Sequence, residues 1–540
     1  MRGARLLALV VLLVPTVLGL LFFYGPRAPV AAKTTLKPRP KLAYADHTEA
    51  FKKAGITRYE GAASCVDCHR EATREAFDSY HYQMANVVDD VVGKGPVKMG
   101  GKYAYNDFCG AIFWQGEKNI NYIGKAVLKT PPPEYADRKG TLIATGCSMC
   151  HGVSLGLVPK EEMTEAQLKN LDCLACHADP AVYPAGPKAI KTGVKEVYQD
   201  ATGTWHYRVK VPLEKLAAAI VKTPPKDQCL LCHAFSGGGP GFKRPNLEPA
   251  LLGEVEEAVD VHLARGMECT DCHVFKAHEL ALKGPDTWAR SAKVPAPGCA
   301  DCHERRHTRP VLGWVIRTFH EEKVACQTCH IPRYAKKAVT DTHRDWSKTT
   351  FSEKLSRYEP EIRLEKNLKP VLRFWNEETR IAYLYPERAE LIDGKLTYLA
   401  PASEGARRKG LFFETYGKLY PFKYHEAVVP YDLEAGVPVP VKVGLVFATG
   451  DTKKAAALGA KLAGLGFGGD SITLVRYMAV NHGVEPAENA LGCLDCHGPT
   501  IRRVPWHELG YGHYPEIAFT VALLIGLLAL VGLFYLLFKR

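Results

Sequence analysis

Sixteen of the chain's 17 cysteines fall into one repeated unit, Cys-x-x-Cys-His. The eight copies are Cys65/Cys68/His69, Cys147/Cys150/His151, Cys173/Cys176/His177, Cys229/Cys232/His233, Cys269/Cys272/His273, Cys299/Cys302/His303, Cys326/Cys329/His330 and Cys493/Cys496/His497. At this cysteine and histidine content random placement gives roughly 0.02 such units, so chance does not account for the pattern. Two thiolates at this spacing form thioethers with the vinyl groups of a haem, and the adjacent imidazole then ligates the iron. Zinc knuckles would pair Cys-x-x-Cys units with one another and would not require a histidine after each. The motifs therefore predict eight covalently bound haem c groups with the eight motif histidines as proximal ligands.

Eight irons have eight distal positions, and twelve histidines lie outside the motifs. Candidates in apolar or helical contexts are His81, His262, His278, His307, His320, His425 and His482, with His47, His206, His343, His507 and His513 in reserve. Lys243 raises a different possibility. It follows the fourth motif in CLLCHAFSGGGPGFKRPN, a glycine-rich loop that a protein merely holding a haem does not need. To ligate iron a lysine must be neutral, and from a free pKa near 10.4 that costs about 4.6 kcal/mol at pH 7. A neutral histidine carries almost none of this cost, so substrate or a proton displaces a lysine more readily. The freed ammonium can hydrogen-bond a bound anion or supply a proton. Gly237, Gly238, Gly239 and Gly241 are read as letting the loop swing in beside a macrocycle. Cys109, in YNDFCGAIFW, belongs to no motif. It is either a buried thiol acting as a small hydrophobe or a thiol beside a reactive haem.

These residues need elements to carry them. The first seven motif histidines span residues 69–330, too little chain for an independent apolar core, so the macrocycles must supply one. Short helices joined by loops would carry the motifs. Segment 331–490 differs: KPVLRFWNEETRIAYLY and AELIDGKLTYLA place aromatic and β-branched residues around turn signals, as hairpins do. The fold class expected is mainly α with extensive coil, a closely packed haem core, a small β-containing insertion and terminal transmembrane helices. Apolar runs at 6–23 and 517–538 are each long enough for a hydrocarbon core of about 30 Å. The first reads as a signal anchor or signal peptide within 1–32, the second as a transmembrane helix over 515–538 with Lys539 and Arg540 cytoplasmic. Between them the expected organisation is a linker at 33–45, a multihaem domain at 46–330, the haem-poor segment 331–490 and the eighth-motif segment 491–512. This predicts a haem domain on the periplasmic face of the cytoplasmic membrane. The formal charge of +12 is mostly a counter-charge. About 16 propionates and about 8 ferric porphyrin charges bring it to about +4 oxidised and about −4 reduced, which argues against nucleic acid as a partner.

Several longer stretches carry a resemblance. NDFC, NLDCLACHAD, CHAFSGGGPGFK, DVHLARGMECTDCH, VACQTCHIPRYA and AVNHGVEPAENALGCLDCH, with PFKYHEAVVPYD and DTHRDWSKT, resemble the octahaem tetrathionate reductase family over about residues 45–512. The resemblance implies seven haems with two axial histidines, and it guides the choice of seven distal candidates above. It also implies an active haem on Cys147, Cys150 and His151, with Lys243 as its distal ligand, Cys109 in the pocket and a pocket aspartate, for which Asp286 is the candidate. Two departures stand out. About 30 extra residues, WQGEKNINYIGKAVLKTPPPEYADRKGTLI, precede the second motif and could form a lid, and the apolar C-terminal run is atypical of soluble members.

The resemblance implies a membrane-anchored, periplasm-facing reductase. Electrons from a quinol-linked membrane partner or a soluble cytochrome would reach a Lys-ligated haem that reduces tetrathionate, nitrite or hydroxylamine. A different class of function is a non-catalytic electron conduit, in which Lys243 is only a solvated loop residue. An oxidase of hydroxylamine type would need a tyrosine cross-linked to the active haem, and none is assignable.

Overall fold

The computed structural model describes residues 42–538 apart from 112–113, 116–117, 122–123, 132, 146, 281–295, 305–306, 309, 384–386, 393–394, 402–404, 410–411 and 498–502. The N-terminal apolar run, most of the linker and Asp286 lie outside the described residues. Helix makes up 30% and strand 24%, which corrects the expectation of a mainly α chain.

Five of the motifs sit on very short helices. Leu174–His177, Cys269–Cys272, Cys299–Cys302, Cys326–His330 and Cys493–His497 each run four or five residues. His273 and His303 already leave the helical region, at φ −93°, ψ 77° and φ −102°, ψ 70°. A helix of one turn has barely repaid its nucleation cost, so its order must come from its attachments. Strands, by contrast, grow long in the haem-poor segment. The main sheet contains β1 (Thr340–Ser352), β2 (Arg357–Glu365), β3 (Val371–Trp375), β4 (Leu396–Tyr398), β5 (Lys418–Asp432), β6 (Val437–Pro438) and β7 (Ser471–Ala479). Their order is β2-β1-β5-β7-β4, with β3 and β6 also paired to β5. β1 runs parallel to β5 and β7 antiparallel to it, so Arg344 pairs with Ala427 and His425 with Arg476.

One side of this sheet packs the largest apolar cluster, in which Trp346, Tyr398, Ala427, Val429 and Leu474 meet Val88, Met99 and Tyr105 from the motif-bearing half. The residues ahead of the second motif are equally anchored. Gly124–Val127 pairs antiparallel with Leu142–Thr145, and Leu128, Ile143 and Ala144 pack on Ile190, Val197 and Tyr207. The buried Asn121 amide donates to the Val441 carbonyl at 2.8 Å and accepts from the Val443 amide at 3.1 Å. These contacts tie the described part of the segment to the chain that follows β6.

The C-terminal run forms a helix, Tyr514–Phe538. Among the described residues, however, no helix is long and apolar enough to cross a membrane. The expected terminal transmembrane helices are corrected accordingly, and with them the anchoring of the protein in the cytoplasmic membrane.

Candidate haem-attachment sites and a charged pocket

Seven motif histidines stand opposite a second histidine. The pairs are His69–His47, His177–His278, His233–His81, His273–His482, His303–His262, His330–His307 and His497–His320, with ring centroids 6.0–6.4 Å apart. A metal held about 2 Å from an imidazole nitrogen on each side puts the two ring centroids about 6.3 Å apart. The spacing thus fits one iron between each pair, beside the two motif cysteines that would hold the porphyrin edge. Second nitrogens are engaged elsewhere: His278 Nδ1 lies 3.1 Å from Glu75, His307 Nδ1 3.0 Å from Glu321 and His177 Nδ1 3.3 Å from the Val221 carbonyl. Such contacts fix ring orientation and leave Nε2 for a metal.

The motifs also touch one another. The thiol of Cys65 lies beside that of Cys173, Cys150 beside Cys232, Cys229 beside Cys269 and Cys299 beside Cys326. Cys176 is within electrostatic reach of Cys232, Cys272 of Cys302 and Cys329 of Cys496. In motif order the contacts run first, third, fourth, fifth, sixth, seventh, eighth, with the second joined to the fourth.

The motif thiols differ in exposure. Cys68 is exposed, as are Cys272, Cys299, Cys302 and Cys326, whereas the other motif cysteines are half-buried. For Cys68 the physical reason is position. The first motif ends the line of contacts and meets its neighbour through Cys65, so the Cys68 side of the turn faces outward. The turn itself is formed: the Cys68 amide donates to the Cys65 carbonyl at 3.2 Å and the His69 amide to the same carbonyl at 2.8 Å. Cys68 therefore stands beside Cys65 and His69 as the motif requires.

The second motif has a different neighbour. Burial and the nearby Lys243 ammonium hold the His151 imidazole at about 3, the neutral form that offers a lone pair. Lys243 is 9% exposed, with Nζ 5.8 Å from the centroid of the Phe108 ring. Cys109 packs with Cys147, Met84 and Val158. Burial pushes its thiol pKa up, against the opposing pull of Arg344 and Lys243. The structure therefore gathers Cys147, His151, Lys243 and Cys109.

The glycine loop is pinned, contrary to the expectation that it swings. The Lys243 amide donates to the Ser236 carbonyl at 3.1 Å and the Gly241 amide to the Ala234 carbonyl at 2.8 Å. Gly237 has φ +83°, and a Cβ there would lie 2.8 Å from Lys243 Cβ. Lys423 from β5 reaches under the loop, donating to the Phe242 carbonyl at 2.6 Å, the Lys243 carbonyl at 3.2 Å and Thr340 Oγ1 at 2.8 Å.

Beneath these groups lies a fully buried ionic network. His425 Nδ1 is 2.6 Å from Asp107 and Nε2 3.3 Å from Asp341, and the ring stacks on Phe108 with centroids 4.0 Å apart. Arg476 sits 2.7 Å from the other Asp107 oxygen, and Arg344 2.7 Å from Asp341. Burial would raise the Asp107 carboxyl, but Arg476, the His425 hydrogen bond and the charges of His425 and Lys243 overcome it and hold the pKa well below the usual range. Asp341 is lowered likewise, with Arg344 and His425 outweighing burial. Burial pulls the Lys423 ammonium down to about 7 against the attraction of Asp341 and Asp107. Four basic side chains, Lys243, Lys423, Arg344 and Arg476, converge here on two carboxylates.

The placement of the histidines corrects one choice. His425 does not stand opposite a motif histidine; it is locked between two carboxylates on a central strand. His47, held in reserve, faces His69 instead. The other reserves are also placed: His206 on Asp200 at 2.6 Å, His343 4.0 Å from Glu426, and His507 against His513 with ring centroids 5.5 Å apart. The sequence reading also missed Asp107 and Asp341 while choosing Asp286. Both stand inside stretches already singled out, Asp107 two residues before Cys109 and Asp341 opening DTHRDWSKT.

Comparisons with known proteins agree with this layout. The family described as "Cytochrome c7 and related cytochrome c" matches residues 255–331, and "Cytochrome c bacterial" matches residues 334–500. An uncharacterized protein of Archaeoglobus fulgidus is 47% identical over 251 residues, 46% of this chain and 84% of that protein. Among solved structures, octaheme cytochrome c from Shewanella oneidensis superposes with a TM-score of 0.61 at 21% identity, covering 86% of this chain and 97% of that one. At that identity the likeness is one of fold. The chain belongs to the multihaem c-type cytochromes. It is a redox protein that carries covalently bound haem c.

Proposed function

We propose that the protein is an extracytoplasmic octahaem reductase whose second motif carries the active haem. One observation carries the reading: seven motif histidines face a histidine at iron-spanning distance, whereas His151 lies beside Lys243 in a pocket rich in basic side chains. Haem bound at the second motif supplies an exchangeable iron site and electrons. Lys243 would be available as a displaceable ligand to that iron, and as an ammonium it would hold an anion or give up a proton. Arg344, Arg476 and Lys423 set a positive field that favours small anions. Cys109 faces the same space through its contact with Cys147. The substrate class is a small sulfur or nitrogen oxyanion, with tetrathionate and nitrite foremost and hydroxylamine as a neutral alternative. Electrons come from a redox partner docking near the first or eighth motif, the two ends of the motif chain.

The test is low-temperature EPR of the ferric protein, comparing wild type, Lys243→Ala and wild type with nitrite. A single signal distinct from the bis-histidine set, lost in the variant and shifted by nitrite, is expected. Eight identical signals that ignore both changes would make the protein an electron conduit.

A further inference from the structure

Arg344 has no role in the reading above beyond its charge, yet its guanidinium is fully committed. The residue is 4% exposed on β1. Its Nε donates to Asp341 Oδ2 at 2.7 Å, one terminal nitrogen donates to the Phe108 carbonyl, and the other donates to the Gly237 carbonyl at 2.9 Å while lying 2.7 Å from Asp341 Oδ2. Those two carbonyls belong to different pieces of chain. Phe108 precedes Cys109, and Gly237 begins the turn whose backbone abuts Lys243. The same planar group is anchored through Asp341 to His425 and the sheet.

We infer that Arg344 is a positioning residue: it ties the Cys109 turn and the Lys243 loop to the sheet and so fixes both side chains relative to the second-motif histidine. The inference rests on Lys243 serving that site. A rigid fork with five donors spans three acceptors in fixed directions; an ammonium on a flexible stem cannot. Arg344→Lys therefore keeps the charge and loses the geometry. Reactive groups displaced by about 1 Å lose on the order of a hundredfold in rate, so the geometry is worth holding with a buried charge.

The experiment uses the full chain with haem attached and compares wild type, Arg344→Lys, Arg344→Gln and Lys243→Ala. Ferric EPR is recorded alongside kcat and KM for nitrite reduction by a viologen donor. The expected result is that Arg344→Lys alters only the distinct second-motif signal and lowers kcat at least tenfold with KM within about threefold, because the charge remains. The bis-histidine signals and the melting temperature stay close to wild type. Three outcomes overturn the inference: Arg344→Lys behaves as wild type while Arg344→Gln raises KM, which makes the residue a charge; every haem signal shifts together, which makes it general scaffolding; or neither variant changes the distinct signal. A wild type with no distinct signal, or one indifferent to Lys243→Ala, instead overturns the reading of the site itself.

Discussion

Asp107 shows at the scale of one residue how charge is held inside this protein. Its two oxygens face Arg476 at 2.7 Å and His425 at 2.6 Å, all three side chains being fully buried. Removing one member of such a set strands the others in a medium that solvates them poorly, at a cost of about 3–5 kcal/mol. Asp107→Asn is expected to destabilise the holoprotein by about that much in urea unfolding followed at the Soret band. Because the native pKa of Asp107 is depressed, its contribution is fully present above the unfolded carboxylate value near 4 and fades as pH falls toward the folded one. The gap between wild type and variant should be flat from about pH 5 to 8 and narrow below about pH 4. A gap that widens on acidification would show that Asp107 is not a native carboxylate. Lys243 and Cys109 were legible in the sequence because each broke a pattern, a lysine in a glycine run and a cysteine outside every motif. Asp107 and Asp341 broke none: only folding opposes Asp107 to Arg476 and His425 from distant strands, and only folding brings Asp341 to that same histidine. His425 misled for the same reason, since a histidine's partner is not encoded beside it.

The glycine loop carries the same point to the scale of an element. Its glycines were read as slack, whereas they serve left-handed turns and close approach. Gly237 and Gly238 both have positive φ, at +83° and +93°, but they differ in surroundings. A Cβ on Gly237 would meet Lys243 Cβ at 2.8 Å and its amide nitrogen at 3.0 Å, whereas a Cβ on Gly238 meets nothing within 4 Å. Both alanine substitutions incur the left-handed penalty of about 1–2 kcal/mol. Only Gly237→Ala should also displace Lys243 and change the optical and EPR signature of the second-motif haem. If Gly238→Ala alters that signature equally, loop strain and not the Gly237 contact sets the lysine. Among the other elements, the motif helices were foreseeable because the motif itself fixes their place. The sheet was underestimated: aromatic and β-branched runs announce strands, but β5 reaches 15 residues by pairing with β3, β7 and β1, the last across about 80 residues of chain. That long-range pairing leaves no local signal.

Over the whole molecule the motif contacts form a line with one branch, and the branch point is the fourth motif. Its cysteines lie beside Cys150 of the second motif and Cys269 of the fifth, and within electrostatic reach of Cys176 of the third. Every path from either end of the line to the second motif therefore passes the pair His233–His81. The first motif, with His69 and His47, closes one arm and lies on no path from the eighth. Chain order could not supply this topology, because the second motif precedes the third in sequence yet, among the described residues, its neighbouring motif is the fourth. The arrangement predicts unequal effects from the same substitution at two places. A methionine in place of a distal histidine raises the potential of a c-type haem, and each 59 mV of one-electron trap shifts its occupancy tenfold. His81→Met should consequently slow reduction of the second-motif haem by roughly tenfold or more in stopped-flow mixing with a donor that enters at the eighth motif. His47→Met should leave that rate within about twofold while shifting one potential in a titration by a similar amount. Equal slowing by the two variants would mean that electrons reach the second motif from the first-motif arm. No slowing by His81→Met would mean that they bypass the fourth motif altogether.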